Sequence, residues 1–113
     1  MKIITQSLTL NEIKAIAAAT FGDLVKGVVD VDRELVALDA ELHSDLEALL
    51  LADGSKQKNL WGINIYPEIQ GEGFIEFDSM INMRPSQGNK SRGIENEEMR
   101  KRVIEIVTKR IKR

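Results

Sequence analysis

Val25-Lys26-Gly27-Val28-Val29-Asp30-Val31, then Asp32-Arg33-Glu34, then Leu35-Val36-Ala37-Leu38-Asp39-Ala40-Glu41-Leu42-His43 is the stretch whose reading decides the fold. The first run is rich in β-branched residues, which suit a pleated surface, and reads as a strand over 25–31. The last run alternates. Val36, Leu38, Ala40 and Leu42 fall on one face, and Ala37, Asp39, Glu41 and His43 on the other. The polar triplet between them turns the chain, so the pair reads as a hairpin, although no Gly or Asn fixes the turn type.

Working outward, residues 3–7 form an extended lead-in. Thr9-Leu10-Asn11-Glu12 is a capping box opening a helix over about 10–21, with Ile13, Ile16, Ala17 and Phe21 as its apolar stripe and Gly22 as its stop. Ser44-Asp45-Leu46-Glu47 repeats the box pattern and opens a short helix that Gly54 ends. Leu60 to Tyr66 reads as a third strand closed by Pro67, with Trp61 and Tyr66 on opposite faces. Phe74 to Met83 reads as a fourth. It has Ile75, Phe77, Ser79, Ile81 and Met83 on one side and Glu76, Asp78 and Asn82 on the other. A polar bend over 84–95 leads to Asn96, the N-cap of a last helix with Met99, Val103, Ile106, Val107 and Ile111 inward. Helix, hairpin, short helix, hairpin, helix predicts an α+β fold. Its expected form is an antiparallel sheet of two hairpins with the N- and C-terminal helices packed on one face.

The chain has 113 residues, 42% hydrophobic and 30% charged, as expected of one globular domain over 1–113. No apolar run approaches the roughly 20 residues of a membrane span, and the polar start does not resemble a secretion signal, so no membrane partner is expected. The absence of cysteine excludes a disulfide framework, a thiolate metal site and a cysteine nucleophile, and it fits a cytoplasmic protein. Charge is unevenly spread. Residues 1–83 carry six Lys and Arg against 14 Asp and Glu, a net −8; residues 84–113 carry ten against four, a net +6. A basic tail on an acidic body either contacts nucleic acid or packs against the body. No nucleic-acid motif and no interleaved aromatic residues accompany it, which disfavours nucleic acid without excluding it.

Several segments together resemble a known family. They are Val28-Val29-Asp30-Val31-Asp32-Arg33-Glu34, Glu41-Leu42-His43-Ser44-Asp45, Asp53-Gly54-Ser55-Lys56-Gln57, Leu60 to Pro67, Ile75 to Asn82 and Arg84 to Gly93. The family is a small prokaryotic one of unknown function, and the likeness runs over about residues 10–112. It has no assigned activity, so the resemblance implies no site residues.

Two constellations can carry chemistry. The bend Arg84-Pro85-Ser86-Gln87-Gly88-Asn89-Lys90-Ser91-Arg92-Gly93 precedes a helix N-terminus, where the dipole favours an anion. Arg84, Ser86, Gln87, Asn89, Ser91 and Arg92 are the candidate ligands for a phosphate-bearing small molecule, the arginines acting as bidentate donors. An ordinary solvated connection is the bland alternative. The second constellation is the polar strand face. If the second and fourth strands present it together, Glu76, Asp78 and His43 are candidate catalytic groups of a metal-dependent hydrolase, such as a phosphodiesterase or nuclease. Glu41, His43 and Asp78 are then the candidate metal ligands. A solvated face is again the bland alternative. A third reading makes the domain a homo-oligomeric subunit paired through free sheet edges. No dinucleotide fingerprint, phosphate-binding Gly-Lys-Ser/Thr loop or zinc-ligand spacing occurs, and no cofactor is expected.

Overall fold

Asp30 makes the turn that lacks Gly and Asn. Its carboxylate is fully buried and accepts the amides of Asp32 (2.9 Å) and Arg33 (3.0 Å) and the hydroxyl of Ser55 (2.6 Å). A short acidic side chain thus stands in for a turn-forming backbone, and Glu34 completes the reversal at φ +57°. In the computed structural model, which describes residues 1–113, the strands flanking this turn are β3 (Val25–Asp30) and β4 (Leu35–Leu38).

The other strands are β1 (Lys2–Ile4), β2 (Leu8–Thr9), β5 (Leu60–Ile65), β6 (Ile75–Glu76) and β7 (Ile111–Lys112). The helices are α1 (Leu10–Ala19), α2 (His43–Ala52) and α3 (Glu97–Arg110). One antiparallel sheet has the order β1-β4-β3-β5-β6, and β2 and β7 form a small parallel pair. The extended lead-in is therefore a true edge strand, with Ile3 opposite Ala37. Both hairpins form, β3 with β4 and β5 with β6, and β3 joins them through six register pairs with β5. The fold is α+β.

The two faces of the sheet are covered differently. Val25, Val29, Val36, Leu38, Trp61, Ile63 and Ile65 point to one side, against Ile13 and Ala17 of α1 and Val103, Ile106 and Val107 of α3. This is the larger apolar cluster, and it places the terminal helices on one face, as the sequence implies. Val28, Leu35, Ala37 and Leu60 point to the other side, where Leu46 and Leu50 of α2 cover them. Burying each such leucine contributes about 2 kcal/mol. No helix is long and apolar enough to cross a membrane.

Four expectations fail locally. The alternation after β4 does not continue to His43. Asp39 takes φ +74°, which ends the strand, and His43 already opens α2. The second capping box does not form: Leu42 is the N-cap and offers no side-chain bond, because the helix starts one residue before Ser44. The fourth strand is two residues long, and Met80–Asn82 curl into a 3₁₀ turn with Ser79 as cap. Phe21 lies outside the core. It is exposed, with the Lys26 ammonium 5.2 Å from its ring.

The basic tail packs against the acidic body. Lys109 (2.7 Å) and Arg102 (3.1 Å) both reach Glu34, and these hydrogen bonds hold its carboxyl below the usual range. Arg110 donates to the carbonyls of Glu34 and Gln6. Arg113 lies over the ring of Phe74.

Candidate ligand-binding cleft

The bend after β6 is built by three buried polar side chains. Asn82 accepts from the amide of Gly62 (2.8 Å) and donates to the carbonyls of Gly62 (3.0 Å) and Arg92 (2.9 Å). Its amide group thus does for β5 what a longer β6 would have done. Gly62 allows the approach, since a Cβ there would lie 2.5 Å from that of Ser79. Arg84 is 8% exposed and donates to the backbone carbonyls of Ile81 (3.0 Å), Gln57 (3.0 Å) and Leu60, with its guanidinium 4.4 Å from the Trp61 ring. Burial pushes its pKa down, and an arginine remains charged regardless. Asn89 donates to the carbonyls of Asn82, Ser91 and Gly93 and accepts from the amide of Glu95. Gly88 supplies the left-handed residue at φ +83° that closes the bend.

The bend does hold an anion, and the anion is its own. The Glu95 carboxylate accepts the amides of Lys90 (2.5 Å) and Ser91 (2.8 Å), and the Lys90 bond above all holds its pKa down. Of the six candidate ligands, Arg84 and Asn89 are turned to the chain's own backbone. Arg92 is paired with Asp78 at 2.6 Å, and the Ser91 hydroxyl accepts the amide of Gly93. Ser86 and Gln87 are exposed, and Gln87 receives one bond from Arg84.

The polar strand face is also partly assembled. β4 and β6 are separated by β3 and β5, yet His43 arrives from the start of α2 and its Nε2 lies 2.8 Å from the Ile63 carbonyl. That carbonyl accepts, so Nε2 carries the proton. Asn64, which the sequence reading overlooked inside an apolar run, is the hub beside it. It donates to Glu76 (2.8 Å) and to the Asp78 carbonyl (3.4 Å), and Tyr66 donates to the same Glu76 oxygen (3.1 Å). The Asn64 Oδ1 is buried without a donor. Burial pushes the His43 pKa down, with the Ile63 bond opposing, and burial raises that of Tyr66. Glu41 is exposed and Asp39 sits at the strand break, so neither joins the cluster. Nowhere do three His, Asp or Glu side chains come close enough to hold a metal ion.

A cleft of about 620 Å³ opens beside the bend, between Gln87, Gly88 and Asn89 on one wall and Asn96, Glu98, Met99 and Arg102 of α3 on the other. That volume suits a small molecule. Glu95 and Trp61 complete the lining. Trp61 is the single tryptophan of the chain, only 7% exposed, and its indole Nε1–H has no acceptor. Asn96 caps the Met99 amide (2.9 Å), and the Arg100 amide closes on the Asn96 carbonyl, while the first-turn amides of Glu97 and Glu98 find no acceptor in the chain. The cleft is thus bordered by the first turn of α3 and by a tryptophan with a buried, unpaired donor.

The family model described as "Protein of unknown function" (DUF5674) matches residues 2–110. The chain belongs to the DUF5674 family. No curated protein and no solved structure matches it. Every lining residue of the cleft, from Trp61 to Arg102, lies within the DUF5674 match. Nothing in sequence spacing marks this cleft, because its walls come from β5, the bend and α3, and only their packing joins them.

Proposed function

We propose that this protein is a small-molecule-binding module whose cleft between the 87–89 bend and α3 takes up a ligand's acceptor group, a carboxylate or phosphate oxygen. The observation that carries this reading is the Trp61 indole N–H, buried without an acceptor in a residue that lines the cleft. An indole nitrogen can only donate, and a buried donor left unpaired costs about 1–3 kcal/mol; the nitrogen itself is closed to solvent, so a bound acceptor recovers that cost as the wall of the cleft shifts to admit it. The free first-turn amides of α3 and the positive end of its dipole favour the same kind of group. The ligand would sit beside the bend, with Gln87 and Asn89 in its wall, and Arg84 would serve it indirectly by stacking on Trp61.

Because Trp61 is the only tryptophan, its fluorescence reports on this site alone. Titration with inorganic phosphate, phosphate monoesters, simple carboxylates and the common amino acids should change its emission for at least one class and raise the melting temperature. Silence from every member of that panel, in both fluorescence and thermal shift, would overturn the reading.

A further inference from the structure

We propose that the groove between β6 and α3 docks an extended peptide segment of a partner protein. The segment adds to the open edge of the sheet, with a large apolar side chain against Ile104 and a carboxylate beside Arg100. This site shares no lining residue with the cleft beside the bend. The register of the last hairpin supplies the edge. Asn64 faces Glu76, Ile65 faces Ile75, and the Tyr66 amide donates to the Phe74 carbonyl at 2.9 Å. Bonded and unbonded pairs alternate along an antiparallel ladder, so Ile75 sits in an unbonded pair and its N–H and C=O point away from β5. Further along the same outward row, the chain covers its own edge. The Ser79 amide donates to the Arg92 carbonyl at 2.9 Å, and a Cβ on Gly93 would lie 3.3 Å from the Phe77 carbonyl oxygen. At Ile75 the row is open. β6 is the last strand of the sheet, and no loop or side chain bonds the outward groups of Ile75.

A groove of about 690 Å³ runs between this open edge and α3. Phe74, Ile75 and Phe77 form its sheet side, and all three pack on the large core, so that side is fixed before a partner arrives. Ile104 lines the helix side and is 42% exposed, while Val103, Ile106 and Val107 of the same helix are buried. Arg100 lines the helix side too. It donates only through Nη1, to the carbonyls of Ile94 (2.6 Å) and Glu95 (3.1 Å), so no carboxylate balances its charge and Nε and Nη2 have no acceptor. Across the groove, the exposed Glu72 repels a carboxylate and so directs an acidic residue to the helix side. The occupant follows from the shape. With α3 as the second wall there is room beside Ile75 for one extended strand and not for the edge of a second folded sheet. Strand addition of this kind draws affinity from the backbone and specificity from the side chains that meet the groove.

The test pans a phage library of random heptapeptides on the intact protein. Synthetic copies of the enriched sequences, labelled with fluorescein, are then titrated by fluorescence polarisation. The enriched sequences should share a large apolar residue with an aspartate or glutamate nearby. Methylating the backbone nitrogens of the tightest peptide one at a time should weaken binding about ten-fold at alternate positions and spare those between, because only every second N–H of an added strand faces the edge. Ile104→Lys should weaken the same peptide about ten-fold and leave the melting temperature within a degree or two. No enrichment, binding indifferent to methylation at every position, or an affinity unmoved by I104K would overturn the proposal. A dimer that sedimentation detects in the parent and not in I104K would overturn it as well, since the occupant would then be a second copy. Should I104K unfold, the methylation series on the parent protein decides alone. None of these outcomes touches the small-molecule reading of the other cleft.

Discussion

The bend over 82–95 and the cleft beside it share residues and treat their polar atoms in opposite ways. Within the bend, Asn82, Arg84 and Asn89 are all buried, and each spends its side chain on backbone groups of the same chain. In the cleft, Trp61 is equally buried and its N–H is left over. Both regions are polar, and composition cannot tell them apart. What separates them is saturation. A buried polar group with every bond made is a part of the architecture, and one with a bond missing costs stability that some other benefit must offset. The richest cluster of arginine, serine and amide side chains in the sequence is thus mainly scaffold. The unpaired donor belongs to a tryptophan.

Breaking the saturated side should give the largest effects. Arg84→Ala removes the donor to three backbone carbonyls at Ile81, Gln57 and Leu60 and uncovers Trp61. About 3–5 kcal/mol of destabilisation is expected, read as a lowered urea midpoint with an unchanged slope. Asn82→Ala should fall in the same range, since it orphans both backbone groups of Gly62. If either variant melts like the parent, the bend is not the scaffold described here.

Close packing under the bend comes next. Gly62→Ala would set a Cβ 2.5 Å from the Cβ of Ser79 and 3.1 Å from Ile81, an overpacking worth about 2–3 kcal/mol. Removing the obstacle should restore part of it. Gly62→Ala with Ser79→Gly is expected to be more stable than the sum of the two single changes predicts, by about 1 kcal/mol. Strict additivity would mean that the strain is relieved elsewhere.

The Asn64 hub, which also holds an unpaired buried atom, should show itself through pH. His43 titrates near 6.5 when unfolded, and its folded pKa is lowered by burial. The unfolded chain therefore takes up the proton first. Stability from this group is complete above about pH 6.5 and is lost as pH falls from there through the folded pKa. Glu34 and Glu95, whose pKa values are lowered by hydrogen bonds, add a separate loss below about 4.5. His43→Gln, which can still donate to Ile63, should flatten the upper limb of a stability-against-pH curve and leave the lower one. An upper limb unchanged in that variant would assign it to some other group.

How much of this was legible in the sequence depends on the range of the forces involved. The Thr9–Glu12 capping box and the Asn96 cap form as their local spacing dictates, and the apolar stripes of the terminal helices find their face. The β3–β4 hairpin was visible from β-branched residues, but not the reason for its turn, since the Asp30 carboxylate works through Ser55, 25 residues away. The alternation from Val36 to His43 misled because period two over eight residues does not reveal a single positive-φ residue at Asp39. The same break carried His43 onto α2, and so brought it to Asn64 by another route than a shared strand face. The Arg84-to-Gly93 segment announced polar chemistry. Whether those groups faced a ligand or their own backbone was a matter of long-range pairing, as with Arg84 and Gln57. Asn64 gave one usable hint, a lone amide in the run Leu60 to Ile65.

The smallest stability effect belongs to the most informative substitution. Trp61→Phe keeps an aromatic ring under Arg84 and deletes the N–H. Two terms then oppose. The smaller ring leaves space in the core, at a cost of about 1–2 kcal/mol. Losing a buried donor that had no partner returns about 1–3 kcal/mol of desolvation. The net change in urea-monitored stability, followed by circular dichroism, should lie within about 1 kcal/mol of zero, although Trp61 is as buried as Arg84, whose loss should cost several times more. Binding should respond the other way round, with the thermal shift produced by any ligand of the cleft greatly reduced. A W61F protein that loses as much stability as R84A would show that the indole N–H is bonded after all, and the contrast between spent and unspent polar groups would disappear with it.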